Sequence, residues 1–396
     1  MRADRRQFLR LVGAGGVAAV AIPLLDACSS NANLAKPTEG FDGSTAGTSV
    51  GTTAPFAGYG ALVGPDANGL LLPAGFTSRV IAQTGEAVAG TGYVWPDAPD
   101  GGAVFPTDDG WIYVANSEAV PGGASMVRFD RDGAVVEARR ILGDTLRNCA
   151  GGRTPWETWL SCEEVPEGRV WECDPTGQAP AEVRDALGVC NHEAAASDPL
   201  HEVVYLTEDD PAGGLYRFRP DKWGDLRAGV LEALVTDGDA LRWQEVPDPS
   251  AAEVPMREQL PTLAAFDGGE GADVADGVLW FSTKGDNRLW RLEPDGDDGV
   301  HLSVVWDGAA PAGPAAVADV DNVVVGPNGL PFVAEDGAGL QVVVVAPDGA
   351  MHPVATVTDA PGSEITGPAF TPDGSRLYFS SQRNPGRTYE VTGPFV

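Results

Sequence analysis

From residue 111 onward, short apolar runs recur along the chain, each closing on a polar cluster. Trp111-Ile112-Tyr113-Val114-Ala115 leads to Asn116-Ser117-Glu118, Thr158-Trp159-Leu160-Ser161 to Cys162-Glu163-Glu164, and Val203-Val204-Tyr205-Leu206 to Thr207-Glu208-Asp209. The pattern returns as Val278-Leu279-Trp280-Phe281 before Ser282-Thr283-Lys284, Pro331-Phe332-Val333-Ala334 before Glu335-Asp336, and Arg376-Leu377-Tyr378-Phe379 before Ser380-Ser381-Gln382. Behind most of these lies another run and a turn: Met126-Val127-Arg128-Phe129 with Asp132-Gly133, Val170-Trp171-Glu172 with Asp174-Pro175, and Leu289-Trp290-Arg291-Leu292 with Pro294-Asp295-Gly296. Period-two runs bounded by Pro, Asp and Gly predict hairpin strands. The unit repeats about every 45 to 50 residues, with one long insertion in the fourth unit, a period that suits a four-stranded blade. Six units predict an all-β fold, a six-bladed β-propeller over residues 61–396. The insertion, about Lys222 to Leu263, is rich in Pro and charge and is expected to form an excursion at a rim.

A second polar cluster precedes each run: Asp100-Gly101-Gly102, Asn148-Cys149-Ala150, Asn191-His192-Glu193, Glu270-Gly271-Ala272-Asp273, Asp321-Asn322 and Glu364-Ile365-Thr366-Gly367. The separation of about 13 to 18 residues is one β-hairpin, in which the start of the first strand and the end of the second share an edge. Both clusters of every blade are therefore expected at one mouth. Glu118, Glu163, Glu164, Glu193, Glu208, Asp209, Glu270, Asp273, Asp321, Glu335, Asp336 and Glu364 then converge near one axis. So many carboxylates repel one another unless cations lie among them, which points to bound multivalent metal, calcium or another hard cation.

Composition narrows the partners. The 57 Asp+Glu against 26 Lys+Arg give a formal charge of −31, which disfavours nucleic acid and anionic membrane surfaces. The 51 Gly and 32 Pro exclude long helices, and the 43% hydrophobic content is enough for a core. Residues 1–28 read as an export leader: Arg5-Arg6-Gln7-Phe8-Leu9 is a twin-arginine (Tat) sequence, and Leu25-Asp26-Ala27-Cys28 resembles a lipoprotein cleavage box. Cys28 would carry a lipid, the one membrane link expected. Residues 29–60, rich in Ser, Thr, Gly and Ala, are expected to be a flexible tether. The predicted location is the cell envelope or outside, possession of a lipid anchor deciding between them. Cys149, Cys162, Cys173 and Cys190 remain, and in an exported protein they are open to disulfide pairing. Cys162 stands directly before two glutamates at the expected mouth, and a thiolate there favours a transition metal over calcium alone. The 4 His include no His-x-x-x-His pair, which disfavours a three-His zinc site.

The run Asn148-Cys149-Ala150-Gly151-Gly152-Arg153-Thr154-Pro155-Trp156-Glu157-Thr158-Trp159-Leu160-Ser161-Cys162-Glu163-Glu164 resembles the signature of the PhoX-type alkaline phosphatases. So do Asn191-His192-Glu193, Tyr205-Leu206-Thr207-Glu208-Asp209 with Tyr216-Arg217-Phe218, and Glu364-Ile365-Thr366-Gly367-Pro368-Ala369-Phe370 with Pro372-Asp373-Gly374. The resemblance implies an exported hydrolase of phosphate monoesters whose mouth holds a di-iron pair with an oxo bridge and calcium ions; separately, a monomer is expected. By that analogy Cys162 binds iron, and Glu163, Glu164, Glu193, Glu208, Asp209, Glu270, Asp321, Asn322, Glu335 and Glu364 share iron and calcium. Arg153, Arg217, Lys284 and Arg383 become candidates for holding phosphate, with Arg153 and Lys284 put forward as catalytic. The chain departs from the family pattern in its shorter length, in the absence of a basic residue just before Glu270, and in Lys284 and Gln382, which end the fourth and sixth clusters where acids are expected. Two other functions share six blades and an acidic mouth: a calcium-dependent lactonase or esterase, which has no need of Cys162, and a cell-surface calcium-binding propeller without catalysis.

Overall fold

The computed structural model describes residues 56–296 and 298–395. The leader and the tether up to residue 55 lie outside the described residues. Twenty-seven strands and two short 3-10 turns make up the described elements. The strands form six antiparallel units of at least four strands, five of them with four strands joined by consecutive hairpins and the sixth completed by a strand from the other end of the chain. Their innermost strands are Pro99–Thr107, Asn148–Arg153, His192–Asp198, Gly269–Ala275, Val320–Val325 and Ile365–Phe370. Each packs against the innermost strand of the next unit, and the sixth packs back on the first, closing a ring of six blades. The sheets of blades three and four join at their outer edges through a single pairing, Arg242 with Gly299.

The apolar runs of the sequence are the second strands of the blades, Gly110–Ser117, Trp159–Glu163, Val203–Glu208, Val278–Thr283, Pro331–Glu335 and Arg376–Ser381. They read as nearly continuous apolar stretches because both faces are covered. On the first blade Tyr113 and Ala115 join a core shared with Tyr378 of blade six, while Ile112 and Val114 join one shared with Trp159 of blade two. Six such apolar layers, one between each pair of neighbouring blades, make up the core.

Closure uses a strand from the other end of the chain. Thr77–Gln83 pairs with Arg387–Thr392 as the outermost strand of blade six, so one blade joins both ends of the domain. Glu390 locks this seam: it is 2% exposed, and Arg79 Nε and Nη2 reach it at 2.9 and 2.7 Å, with Arg376 Nη1 at 2.6 Å. Residues before 61 also pack on the propeller. Tyr59 packs on Phe76, Phe332 and Phe395, Phe56 packs edge-on against Tyr59, and the Tyr59 hydroxyl donates to the Phe395 carbonyl. The insertion supplies a long fourth strand, Asp225–Asp237, and a fifth, Ala240–Glu245, to blade three before returning through Met256–Glu258, where Met256 is buried. It is thus partly structural sheet and not only a rim loop.

Candidate metal centre at the mouth of the propeller

One backbone hydrogen bond marks the same position on all six blades. The N–H of the residue just after each second strand donates to a carbonyl just before the innermost strand: Glu118 to Ala98, Glu164 to Arg147, Asp209 to Asn191, Lys284 to Gly268, Asp336 to Asp319, and Gln382 to Glu364. Two residues beyond each of those carbonyls stand Asp100, Cys149, Glu193, Glu270, Asp321 and Thr366. On the first five blades these residues lie in a break of the strand pairing, where the innermost strand bulges at its mouth end. A bulge re-aims the side chain it carries and bends the strand, which is how a regular sheet edge presents acids inward. The following residue is small on four of these blades. A Cβ on Gly101 would sit 2.5 Å from the Ala150 Cα, and one on Gly271 would sit 2.4 Å from the Asn322 Cα, so glycine is what lets adjacent innermost strands approach there.

The bulges bring together four groups whose ligand atoms all lie within 4.8 Å of one another: Asp100, Glu118 and Cys149; Cys149, Glu164 and Glu193; Glu193, Glu270 and Asp321; and Asp321, Asp336 and Glu364. The groups share Cys149, Glu193 and Asp321, so they form one continuous belt across five blades plus Glu364 of the sixth. All but Asp336 are buried. Two carboxylates at that separation repel by at least about 3.5 kcal/mol at an effective dielectric near 20. With Asp209 beside Glu270, nine carboxylates face three cations, Arg147, Lys284 and Arg383. Arg147 Nη2 spans Glu118 and, at 3.1 Å, Glu164. Arg383 reaches Glu364 at 2.6 Å and Glu118 at 3.3 Å. Lys284 Nζ reaches Glu270 and Asp336 at 3.0 Å and Asp321 at 3.5 Å. Burial, with Asp209, Asp321 and Glu193 adding to it against the pull of Lys284, holds Glu270 well above the usual carboxylate range. Burial likewise raises the Cys149 thiol, helped by Asp100, Glu193, Glu164 and Glu118. A buried, oxygen-rich belt with one sulfur and too few cations has the donor chemistry of a metal centre.

The sequence profile of the alkaline phosphatase PhoX family matches residues 121–170 and 166–386, well over half of the chain. The chain belongs to the PhoX family. Among solved structures it is similar to Pseudomonas fluorescens PhoX in complex with vanadate, a transition state analogue, at 16% identity and a TM-score of 0.70 over 82% of this chain and 96% of that one. It also resembles XC5397 from Xanthomonas campestris, a gluconolactonase, at 14% identity and a TM-score of 0.50 over 82% and 89% of the two chains. At these identities the likeness concerns the fold. No curated relative matches the sequence significantly.

Of the residues expected at the PhoX-type centre, Glu164, Glu193, Glu270, Asp321 and Glu364 are in the belt, and Lys284 is against it. Asp209 lies close by, at the ring position of blade three. Three expected ligands are held elsewhere, each as the last residue of its second strand. Glu163 accepts from the Leu146 N–H at 2.9 Å and the Arg169 N–H at 3.2 Å. Glu208 accepts from the Gly214 N–H at 3.0 Å, the Tyr216 hydroxyl at 2.6 Å and Arg257 Nη1, from the insertion, at 2.7 Å. Glu335 accepts from the Ala318 N–H at 3.1 Å. These acids tie each blade's own loops, and the next residue along turns to the axis. Asn322 bridges blades: its Nδ2 donates to Asp321 at 2.9 Å and its Oδ1 accepts from the Gly367 N–H at 2.6 Å, which fixes Asp321 from behind.

Cys162 is in none of the four ligand groups. Strand alternation turns Ser161 toward Asn116 of blade one, and Cys162 the other way, into the apolar layer with Leu206, Tyr216 and Cys190. The sulfur among the acids is that of Cys149. The four cysteines of the described domain are free thiols. Arg153 is also remote: it pairs with Trp159 at the far end of the hairpin that Asn148 and Glu163 begin, about 16 Å down the strand. Its guanidinium bonds Glu157 at 2.6 Å on the surface. Arg217 is bound to Glu232 and stacks on Trp243. His192 is buried and held neutral, its pKa lowered to about 4 by burial, with Nε2 3.1 Å from the Gly188 carbonyl. Glu118 and Asp336, expected at the mouth with the other acids, join the ligand groups, and so do Asp100 and Cys149, which were not in that set; the repeat carried the signal of these two, an acid or cysteine followed by Gly, Ala or Asn at one fixed offset in five units.

Proposed function

We propose that this protein is an exported metal-dependent alkaline phosphatase that hydrolyses phosphate monoesters at the acidic mouth of its propeller. The observation that carries this reading is the belt of four linked ligand groups with Cys149 at its junction, in a chain of the PhoX family. The residues fit a mixed iron and calcium site. Cys149 with Asp100, Glu118, Glu164 and Glu193 has the thiolate and carboxylates that suit iron, and the all-oxygen side, Glu193, Glu270, Asp321, Asp336 and Glu364, suits calcium. When bound, such cations supply the positive charge that draws in a phosphoryl group and the Lewis acidity that prepares it for attack.

The protein's own residues do the rest. Without cations the carboxylates repel a phosphate dianion, so substrate entry is coupled to metal loading. Arg147 and Arg383, with side chains 22% and 37% exposed, each bridge two ring acids, Glu118 and Glu164 for Arg147 and Glu118 and Glu364 for Arg383, and so set a guanidinium at the ring. A planar fork of donors in that position suits two phosphoryl oxygens. In the net reaction a water oxygen bonds to phosphorus, the ester P–O bond breaks, and the alcohol and inorganic phosphate leave, the water supplying the alcohol's proton. The lactonase alternative rests on likeness of fold alone. Export is supported by the twin-arginine sequence at Arg5-Arg6, and lipid attachment at Cys28 by the cleavage box.

Metal analysis, visible absorption and a phosphomonoester assay at alkaline pH with calcium test this on the exported protein and on Cys149→Ala and Cys162→Ala. The expected result is iron with a thiolate-to-iron band that is lost with Cys149 and kept with Cys162. Wild-type protein with neither iron nor phosphatase activity would sink the reading.

A further inference from the structure

Blade four departs from its neighbours at one ring position. The residue after the second strand is Glu118, Glu164, Asp209 and Asp336 on blades one, two, three and five, but Lys284 on blade four. Its N–H makes the same hydrogen bond as theirs, to the Gly268 carbonyl, so its side chain departs from an equivalent point. The ammonium then reaches three carboxylates on two blades, Glu270 and Asp336 at 3.0 Å and Asp321 at 3.5 Å, with the lysine side chain only 14% exposed. The ammonium therefore stands as a single positive charge among three carboxylates, with donor capacity for each. Blade six has a milder form of the same device: Gln382 Nε2 donates to Asp100 and, at 2.9 Å, to Glu118 of blade one.

Glu270, Asp321 and Asp336 are donors of the all-oxygen groups. A hard divalent cation needs about six to eight oxygens at 2.3 to 2.6 Å. It and an ammonium cannot hold the same three carboxylates at once. We infer that Lys284 is a tethered cation that takes the place of one divalent ion between blades four and five, so that this chain binds one calcium fewer than its ring of acids would accept. The inference rests on the metal-centre reading above. It sets one fixed positive charge among the three carboxylates between these blades, independent of metal supply, and gives Lys284 a positioning role toward Asp321 instead of a contact with phosphate.

Calcium chloride titrated into chelator-stripped protein, read by calorimetry, gives the stoichiometry. Lys284→Gln is expected to bind one calcium more than the wild type, and Lys284→Arg the same number as the wild type. On the unmutated protein, acylation by an amine reagent read by mass spectrometry should find Lys284 slow relative to the exposed Lys222 in both stripped and calcium-saturated samples. Equal calcium counts in wild type and Lys284→Gln would overturn the inference, as would a several-fold rise in Lys284 acylation on calcium loading. If the glutamine variant does not fold, the acylation ratio decides alone. A wild type that binds neither calcium nor iron removes the metal-centre reading itself, which the acylation ratio and the stoichiometry difference report separately.

Discussion

Changing Glu163 and Glu164 to glutamine, one at a time, separates two tasks done by adjacent acids of the same size. Glu163 is 7% exposed and its two oxygens each accept one backbone N–H, from Leu146 and Arg169. In Glu163→Gln one of those N–H groups faces an amide NH2, so one charge-assisted bond is lost and a buried donor is left unsatisfied. That costs about 2 to 4 kcal/mol. For a domain of roughly 340 residues the unfolding entropy is about 0.7 kcal/mol/K, so the melting temperature should fall by about 3 to 6 °C. The metal centre, which Glu163 does not touch, should keep its metal content. Glu164 is 3% exposed, faces Cys149 and Glu193, and meets Arg147 at 3.1 Å. Glu164→Gln removes one negative charge from a belt already rich in them, so the stripped protein should melt within about 1 °C of the wild type, while metal affinity drops at least about tenfold. Thermal melts with and without chelator, together with metal content after dialysis, read both effects. The reasoning fails if Glu163→Gln loses metal without loss of stability, or if Glu164→Gln lowers the stripped protein's melting point while holding its metal.

Three further outcomes follow from the same structure. Glu390→Ala leaves Arg79 and Arg376 without their shared buried carboxylate at the seam between the chain ends, and should cost about 3 to 5 kcal/mol by chemical denaturation; Arg79→Ala, at a side chain 40% exposed, should cost clearly less. Burial raises Asp273 from 3.8 to about 6, against hydrogen bonds from the Val325 and Val274 N–H groups that pull it down. An acid raised on folding stabilises the folded state below its unfolded pKa, and that contribution is lost as pH rises through the folded value. Its contribution, at most about 3 kcal/mol, should therefore disappear between pH 4 and 6. The measurement is the slope of unfolding free energy against pH in that window, which should be less negative in Asp273→Asn; an unchanged slope refutes the assignment. Arg257→Ala strips the buried Glu208 of its cation and should destabilise blade three by about 3 kcal/mol or more while sparing metal content, a result checked by paired melts and metal analysis.

Much of the architecture was readable from the chain because its signals are local and repeated. Apolar runs such as Val203–Leu206 and Val342–Val345 are strands of any fold that buries both faces of its sheets, and the turn residues behind them set the hairpins. The common edge of both polar clusters follows from hairpin geometry, which is why Glu164, Glu193, Glu270, Asp321 and Glu364 could be brought to one mouth before any coordinates. The closing strand Thr77–Gln83 carried no comparable signal. Its partner is more than 300 residues away, and nothing in its own pattern names that partner.

The sequence by itself determined the repeat, the all-β class, the acidic mouth and the family. The tertiary structure decided which member of each polar cluster turns inward. In a strand a shift of one residue exchanges the two faces, and here the bulges and the end of the pairing set that register. So Glu164 faces the axis and Glu163 a loop, Cys149 lies among the acids and Cys162 among apolar side chains, and Lys284 reaches carboxylates on two blades. Adjacent residues with the same chemistry differ in role because a single step along a strand is the difference between core and mouth.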